Sequence, residues 1–266
     1  MLDFILVGPR KTASTWLHDV MKNHPSVQLP ETTKETYFFD KFYTEKKEQY
    51  EKRYYKKNCE KKIRGEFSPS YFTNHEALYR IKKSNPETKI AICIRDPSQR
   101  LISDYLHHVR YGKTKSRILE AINERNDLID SSNYHKNINK WKSEFSNVKV
   151  FYYEDIKKDP QKFIDEFCCF IRAEKFNIDN IAASNKSNIG GAYSNYYIAK
   201  YTSFVTEKLR TWNLLFIIEL FKRLGLKKIL LRSKERKKEE LIHKKEIEEI
   251  NNIMKAETIR YENRLY

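Results

Sequence analysis

The sequence predicts an α/β fold: a central, mostly parallel sheet with helices on both faces, followed by a helical C-terminal region. Three observations lead there. Lys89-Ile-Ala-Ile-Cys-Ile94 is an almost uninterrupted apolar run, as expected of a central parallel strand covered on both sides. Similar runs alternate along the chain with stretches whose apolar residues recur at helical spacing. Tyr (18) and Phe (15) are plentiful while Gly (6) and Pro (7) are scarce, which favours regular elements over long loops. With 266 residues there is enough chain to bury a full core, and we read one domain over 1–266. Its α/β core spans 1–183, and a covering loop with a helical extension spans 184–266.

The elements follow in order. Phe4-Ile-Leu-Val7 is a buried strand. A loop of small residues and a lysine follows, and a helix begins near Ser14, with Trp16, Leu17, Val20 and Met21 at helical spacing. His24-Pro25 ends that helix, and Ser26-Val-Gln-Leu29 is a short strand. Residues 44–62, charged and tyrosine-rich, read as one or two surface helices. Arg64-Gly-Glu-Phe67 is a strand and Ser68-Pro-Ser-Tyr-Phe72 a loop. His75 to Ser84 is a helix stopped by Asn85-Pro86.

After the central strand, Arg95-Asp-Pro97 opens a helix with proline in its first turn, burying Leu101, Ile102, Tyr105, Leu106 and Val109. Helices are predicted over 116–129 and 134–145, a strand over Val148 to Tyr153, and an amphipathic helix over Pro160 to Ile171. Ser184 to Gly191 is a loop by composition. Trp212 to Leu231 is apolar but interrupted by Glu219, Lys222 and Arg223, so it lacks the ~20 clean apolar residues of a membrane span. A helix packed on the core fits it better than one lying on a membrane, and peripheral membrane contact stays open. Lys234 to Arg260 is predicted as a charged helix with Leu241, Ile247, Ile250, Ile253 and Met254 on one stripe.

Charged residues at 33% and aromatics at 14% exclude a disordered or membrane-embedded chain. The formal charge of +16 points to anionic partners, although part of the lysine excess reflects a Lys- and Asn-rich composition. Cys59, Cys93, Cys168 and Cys169 show no metal-ligand spacing and read as free thiols; no metal is expected. The first strand begins within three residues of Met1, leaving no room for a secretory signal, so a cytoplasmic location is expected.

The chemistry concentrates at carboxyl ends of strands, where such sheets bind ligands. Strand, hydroxyl-rich loop and helix N-terminus together are a common phosphate cradle. The segment from Gly8 to Thr15 is P-loop-like, but Ala13 stands where the second glycine of a nucleotide P-loop belongs and Ser14 where its lysine belongs. The lysine comes earlier, at Lys11, which disfavours a magnesium-bound triphosphate. Arg95, at the end of the central strand, is suited to grip a second phosphate by its planar fork. Ser103 follows on the next helix. These residues leave three classes open: a transferase using another phosphate-bearing donor, a P-loop kinase of small molecules, and a non-enzymatic basic module binding nucleic acid or an acidic polymer.

Together the pieces resemble the sulfotransferases that use 3′-phosphoadenosine-5′-phosphosulfate (PAPS), in particular the branch with the heparan sulfate sulfotransferase domains and bacterial relatives. Lys11-Thr-Ala-Ser-Thr-Trp-Leu17 matches the K-[ST]-G-[ST]-[ST]-x-L loop, with Ala13 for glycine. Arg95 and Ser103, eight residues apart, match the 3′-phosphate motif. Lys34-Glu-Thr-Tyr-Phe-Phe-Asp40 resembles K-E-x-x-F-F-D, and Glu66-Phe-Ser-Pro-Ser-Tyr-Phe72 resembles E-K-[ST]-P-x-Y-F. Phe151-Tyr-Tyr-Glu-Asp-Ile156 with Asp159-Pro160 resembles a further strand and turn. The likeness covers about residues 1–172.

The resemblance implies a three-layer P-loop-like fold and transfer of a sulfuryl group to an acceptor hydroxyl or amine, most naturally of a saccharide. The desulfated nucleotide (PAP) is the product, and no metal or nucleic acid takes part. It assigns Lys11 to assisting the leaving group and Glu35 to taking the acceptor's proton. Arg10, Lys11, Thr12, Ala13, Ser14, Thr15 and Trp16 line the 5′ side of the donor, and Arg95 and Ser103 the 3′-phosphate. Gly190 and Gly191 fall in a loop that closes over the nucleotide. Lys34 and Phe67 are acceptor-side positions, Phe67 standing where the branch has lysine.

Overall fold

The computed structural model describes residues 2–43, 47–56, 59–60, 62–179, 196–211, 217 and 241–266. Among these, the strands are β1 (Phe4–Gly8), β2 (Val27–Gln28), β3 (Ile63–Phe67), β4 (Lys89–Ile94) and β5 (Val148–Tyr152). They form one sheet in the order β2-β3-β1-β4-β5, parallel at every pairing. The helices are α1 (Ser14–Lys22), α2 (Lys47–Tyr54), α3 (His75–Ser84), α4 (Pro97–Arg110), α5 (Ile118–Glu124), α6 (Asn126–Asp130), α7 (Tyr134–Glu144), α8 (Tyr153–Lys158), α9 (Pro160–Ile171), α10 (Tyr196–Thr211), α11 (Lys244–Ile253) and α12 (Lys255–Glu262). This is the expected α/β class.

The chain divides into two compact units. The first comprises Met1–Arg100, Asp130–Ser187 and Glu257–Tyr266 and contains the whole sheet. Alternation along β1 and β4 sorts its core into two layers. Ile5, Val7, Ile90, Ile92 and Ile94 join Trp141, Tyr134 and Tyr71 on one face. Phe4, Leu6, Ala91 and Cys93 join Leu17, Phe67, Phe163 and Phe167 on the other. Both faces being covered explains the continuous apolar run of β4. β1 lies at the centre, with β2 and β3 to one side and β4 and β5 to the other, so its carboxyl end is the switch point of the topology. Within this unit Tyr261 packs on Tyr152, and Arg264 grips Asp155 through two bonds of 3.0 and 2.5 Å.

The second unit comprises Leu101–Ile129 and Asn188–Ala256. Its core joins Leu101, Ile102 and Tyr105 to Ile118, Ile122, Leu128, Ile250 and Met254. The N-termini of α5 and α11 meet through Arg117, whose Nε and Nη2 donate to Glu246 at 3.0 and 2.7 Å. On α4, Asp104, His107 and His108 bring ligand-capable atoms within 4.8 Å of one another.

Three boundaries differ from expectation. The helix predicted over 116–129 is two, because the chain leaves helical geometry at Arg125 (φ −135°, ψ 87°) and its guanidinium turns to Asp127 at 3.3 Å. Tyr153 opens α8 instead of closing β5. The helix predicted over 234–260 is described from Leu241 onward and breaks at Met254 (φ −91°, ψ 3°) into α11 and α12; Ile253, placed on the apolar stripe, is 46% exposed. The segment Trp212 to Leu231 lies outside the described residues except for position 217. Among the described residues no helix is long and apolar enough to cross a membrane.

Candidate functional site

The loop after β1 is shaped by its backbone. Gly8 adopts φ 121°, and a Cβ there would come within 2.5 Å of the Pro69 carbonyl oxygen, so both the conformation and the space call for glycine. A cis peptide joins Gly8 to Pro9. Lys11 and Ala13 take left-handed conformations (φ 72° and 63°), and the buried Thr12 hydroxyl donates to the Pro9 carbonyl at 2.7 Å. α1 then starts at Ser14 with Ala13 as N-cap, whose methyl side chain makes no cap hydrogen bond. Successive N–H groups in such a winding loop, followed by an uncapped helix start, form an anion cradle.

The second component arrives from the turn after β2. The Lys34 ammonium donates to Ser14 Oγ at 3.0 Å, Thr15 Oγ1 at 3.2 Å and Glu35 Oε1 at 3.4 Å. One cation therefore links the start of α1 to the carboxylate next to it in sequence. Both side chains remain reachable, at 20% and 22% exposure for Lys34 and Glu35. Burial lowers the Lys34 pKa, and the neighbouring Glu35 charge opposes that shift. Thr33 secures the approach by donating to the Glu35 carbonyl at 3.0 Å.

The third component is the end of β4. Asp96 caps α4, accepting from the Gln99 N–H at 2.8 Å. Arg95 donates from Nη2 to Gln99 Oε1 at 3.0 Å, and its guanidinium lies 4.9 Å from the centre of the Tyr153 ring. The Arg95 carbonyl accepts from the buried Tyr134 hydroxyl at 2.7 Å, which ties the strand end to α7. The Arg95 Nε has no hydrogen-bond partner among the described residues. Ser103 sits partly exposed on α4 in the second unit.

The remaining expected positions sort differently. Arg10 and Lys11 are partly exposed, while Trp16 packs edge-on against Phe163 at 6.2 Å and supports α1 from behind. Phe67, expected on the acceptor side, has no exposed surface: its ring stands edge-on to Phe4 at 6.0 Å and to His18 at 5.6 Å. A side chain so enclosed is core and offers no contact to an acceptor. Gly190 and Gly191 lie outside the described residues.

A winding loop that leads into a helix start at the switch point, with a Lys–Glu pair against it and an arginine at the next strand end, narrows the classes that the residues left open. The family profile described as the sulfotransferase domain matches residues 2–212. The chain belongs to the sulfotransferase family. Among curated relatives, the membrane-associated sulfotransferase kil1 of Dictyostelium discoideum is 28% identical over 137 residues, 48% of this chain and 29% of that protein. The human heparan sulfate glucosamine 3-O-sulfotransferase 6 is 33% identical over 101 residues, 38% of this chain and 29% of that one. The mouse heparan sulfate glucosamine 3-O-sulfotransferase 5 is 28% identical over 155 residues, 52% and 43% of the two chains. The chain thus spans between 29% and 43% of the length of these relatives.

A solved sulfotransferase from Alicyclobacillus acidocaldarius superposes with a TM-score of 0.59 at 19% identity, covering 81% of this chain and 96% of that one. At that identity the likeness establishes the fold, which is the P-loop-like arrangement expected. The family is one of enzymes that transfer sulfate.

In the sequence Glu66, Thr36 and Tyr71 stand only as letters of two motif segments. Their burial and mutual bonding were legible at most as hydroxyl-bearing residues recurring around one apolar-flanked carboxylate.

Proposed function

We propose that this sulfotransferase moves a sulfuryl group from PAPS to a hydroxyl or amine of an acceptor, with a saccharide or polysaccharide as the acceptor class. The observation that supports this most is the Lys34 bridge: a single ammonium touches Ser14 and Thr15 of the loop and the carboxylate of Glu35. In-line transfer needs donor, acceptor and base held within about 3–3.5 Å contacts, and a base one side chain from the donor loop meets that need.

In this scheme the N–H groups at the start of α1 and the Ser14 and Thr15 hydroxyls hold the 5′ side of the donor. Thr12 acts on the loop's shape through Pro9. Lys11 steadies the bridging oxygen as the sulfur–oxygen bond to the nucleotide breaks and negative charge collects there. Glu35 accepts the acceptor's proton as the new bond from sulfur to the acceptor oxygen or nitrogen forms. Arg95 and Ser103 hold the 3′-phosphate that separates this donor from ATP, Gly190 and Gly191 belong to the covering loop, and Lys34 provides positive charge on the acceptor side.

The reading is tested by transfer of labelled sulfate from PAPS to a panel of saccharides, lipids and phenols. Glu35→Gln should lower turnover by about 10²–10⁴-fold. Lys11→Ala should lower it by a comparable ~10²–10³-fold, the scale of losing one group that stabilises transition-state charge. Undiminished turnover in either variant removes that residue from the scheme, and phosphoryl transfer from ATP–Mg²⁺ in place of sulfuryl transfer overturns the reaction class.

A further inference from the structure

A fully buried carboxylate lies at the end of β3, next to the turn that carries Glu35. Glu66 Oε1 accepts from the Thr36 hydroxyl at 2.6 Å, from the Tyr71 hydroxyl at 2.7 Å and from the Ser68 hydroxyl; Oε2 accepts from the Tyr50 hydroxyl. A hydroxyl has one proton to give. Once Thr36 and Tyr71 have given theirs to Glu66, their oxygens act only as acceptors, and both accept from the same short stretch of backbone. The Phe38 N–H donates to Thr36 Oγ1 at 3.1 Å, and the Phe39 N–H donates to Tyr71 Oη at 3.2 Å. Tyr54 adds a bond to the Thr36 carbonyl at 3.3 Å.

The backbone held in this way needs holding. Tyr37 sits at φ 53°, a left-handed conformation that costs a non-glycine residue about 1–2 kcal/mol. Thr36 and Phe38 flank it, and both are tied to Glu66 through the one hydroxyl. The same carboxylate also reaches toward the donor loop. Ser68, its partner, donates its N–H to the Leu6 carbonyl of β1 at 2.9 Å, and the next residue, Pro69, presents the carbonyl that abuts Gly8. Glu66 thus stands between the two halves of the site, bonded to the turn after Glu35 on one side and to the segment seated against Gly8 on the other. Four hydroxyl donors on two oxygens match an ionised carboxylate and leave an uncharged isostere with a donor facing donors.

We infer that Glu66 is a positioning residue for sulfuryl transfer: acting through Thr36 and Tyr71, it fixes the turn that presents Glu35 to the donor loop. The inference rests on the proposed function for the role of Glu35, while the hydroxyl relay stands on geometry alone.

The experiment compares the full chain with Thr36→Val, Thr36→Ser, Tyr71→Phe and Glu66→Gln by three readouts: amide hydrogen exchange over 36–41, PAP affinity by calorimetry, and turnover of PAPS. Thr36→Val and Tyr71→Phe should raise exchange at the Phe38 and Phe39 amides about tenfold and lower kcat by ~10–100-fold, the scale of a misplacement near 1 Å, with PAP affinity within about threefold. Thr36→Ser should restore both kcat and protection, and Glu66→Gln should combine the two losses. Unchanged exchange in Thr36→Val and Tyr71→Phe overturns the relay. Loss of kcat that tracks an equal loss of PAP affinity and melting temperature, or that Thr36→Ser fails to restore, overturns the positioning role. Failure of the unmodified chain to bind PAP instead overturns the donor assignment, and the exchange data still decide the relay.

Discussion

Ala13 holds a left-handed backbone in the loop after β1, where a side chain is a burden. The strain of about 1–2 kcal/mol should be relieved by Ala13→Gly, less the ~0.5–1 kcal/mol that glycine's extra freedom costs on folding. We expect a net gain near 0.5–1 kcal/mol, read as a higher urea midpoint at unchanged slope. A lower midpoint would mean that the Ala13 methyl makes contacts worth more than the strain. Gly8 is the opposite case, because a methyl there meets Pro69 backbone, which cannot yield as a side-chain tip could. At this scale the letters were legible and their geometry was not. The lysine displaced to Lys11 and the Lys34–Glu35 pair were visible as residue types, whereas the Lys34 ammonium lying on Ser14 and Thr15 required the fold to bring the turn after β2 to the start of α1.

Helix ends carry the next level of specification. Asp96, Asn74, Asn133 and Asp159 each accept an N–H in the first turn of the helix they precede, so α4, α3, α7 and α9 began where sequence rules put them. The junction of α5 and α11 was not readable, since Arg117 and Glu246 are 129 residues apart and meet only in the folded second unit. Arg117 gives a bidentate pair on a half-exposed side chain, where solvent screens the charges, so Arg117→Ala should lower the chemical-denaturation midpoint only slightly. The bond to Arg117 holds the Glu246 carboxyl below its ordinary value. A lowered folded pKa contributes stability that is full above the ordinary carboxylate range and is lost as pH falls through the folded value. Glu246→Gln should therefore melt below the unmodified chain near about pH 7, with the difference shrinking at about pH 3. A constant difference across that range would show that the pair's charge is not what stabilises the junction.

For the whole molecule, a formal charge of +16 biases it toward anions and makes any anion complex sensitive to salt. A ligand bound only by the folded state adds about 2.7 kcal/mol at one hundred times its dissociation constant. PAP should raise the melting temperature on that scale, ATP–Mg²⁺ should raise it far less, and ~1 M salt should shrink the PAP shift. Equal shifts from both nucleotides would remove the discrimination assigned to Arg95 and Ser103. A strong affinity for acidic polymers independent of nucleotide would instead favour a basic binding module.

What the sequence by itself determined was local and periodic. Strand β4, the amphipathic helices, the order of the phosphate loop and the Lys34-to-Asp40 and Glu66-to-Phe72 segments all announce themselves through spacing, because side-chain period and capping depend on neighbours along the chain. The tertiary structure alone decided which of those letters share an atom. It sent Phe67 into the core beside Phe4, split the helix after Glu124, and brought Thr36 and Tyr50 from two distant segments onto Glu66 beside its neighbours Ser68 and Tyr71. Those outcomes depend on strand order and on which face of each element is covered, and neither is written in any one stretch of residues.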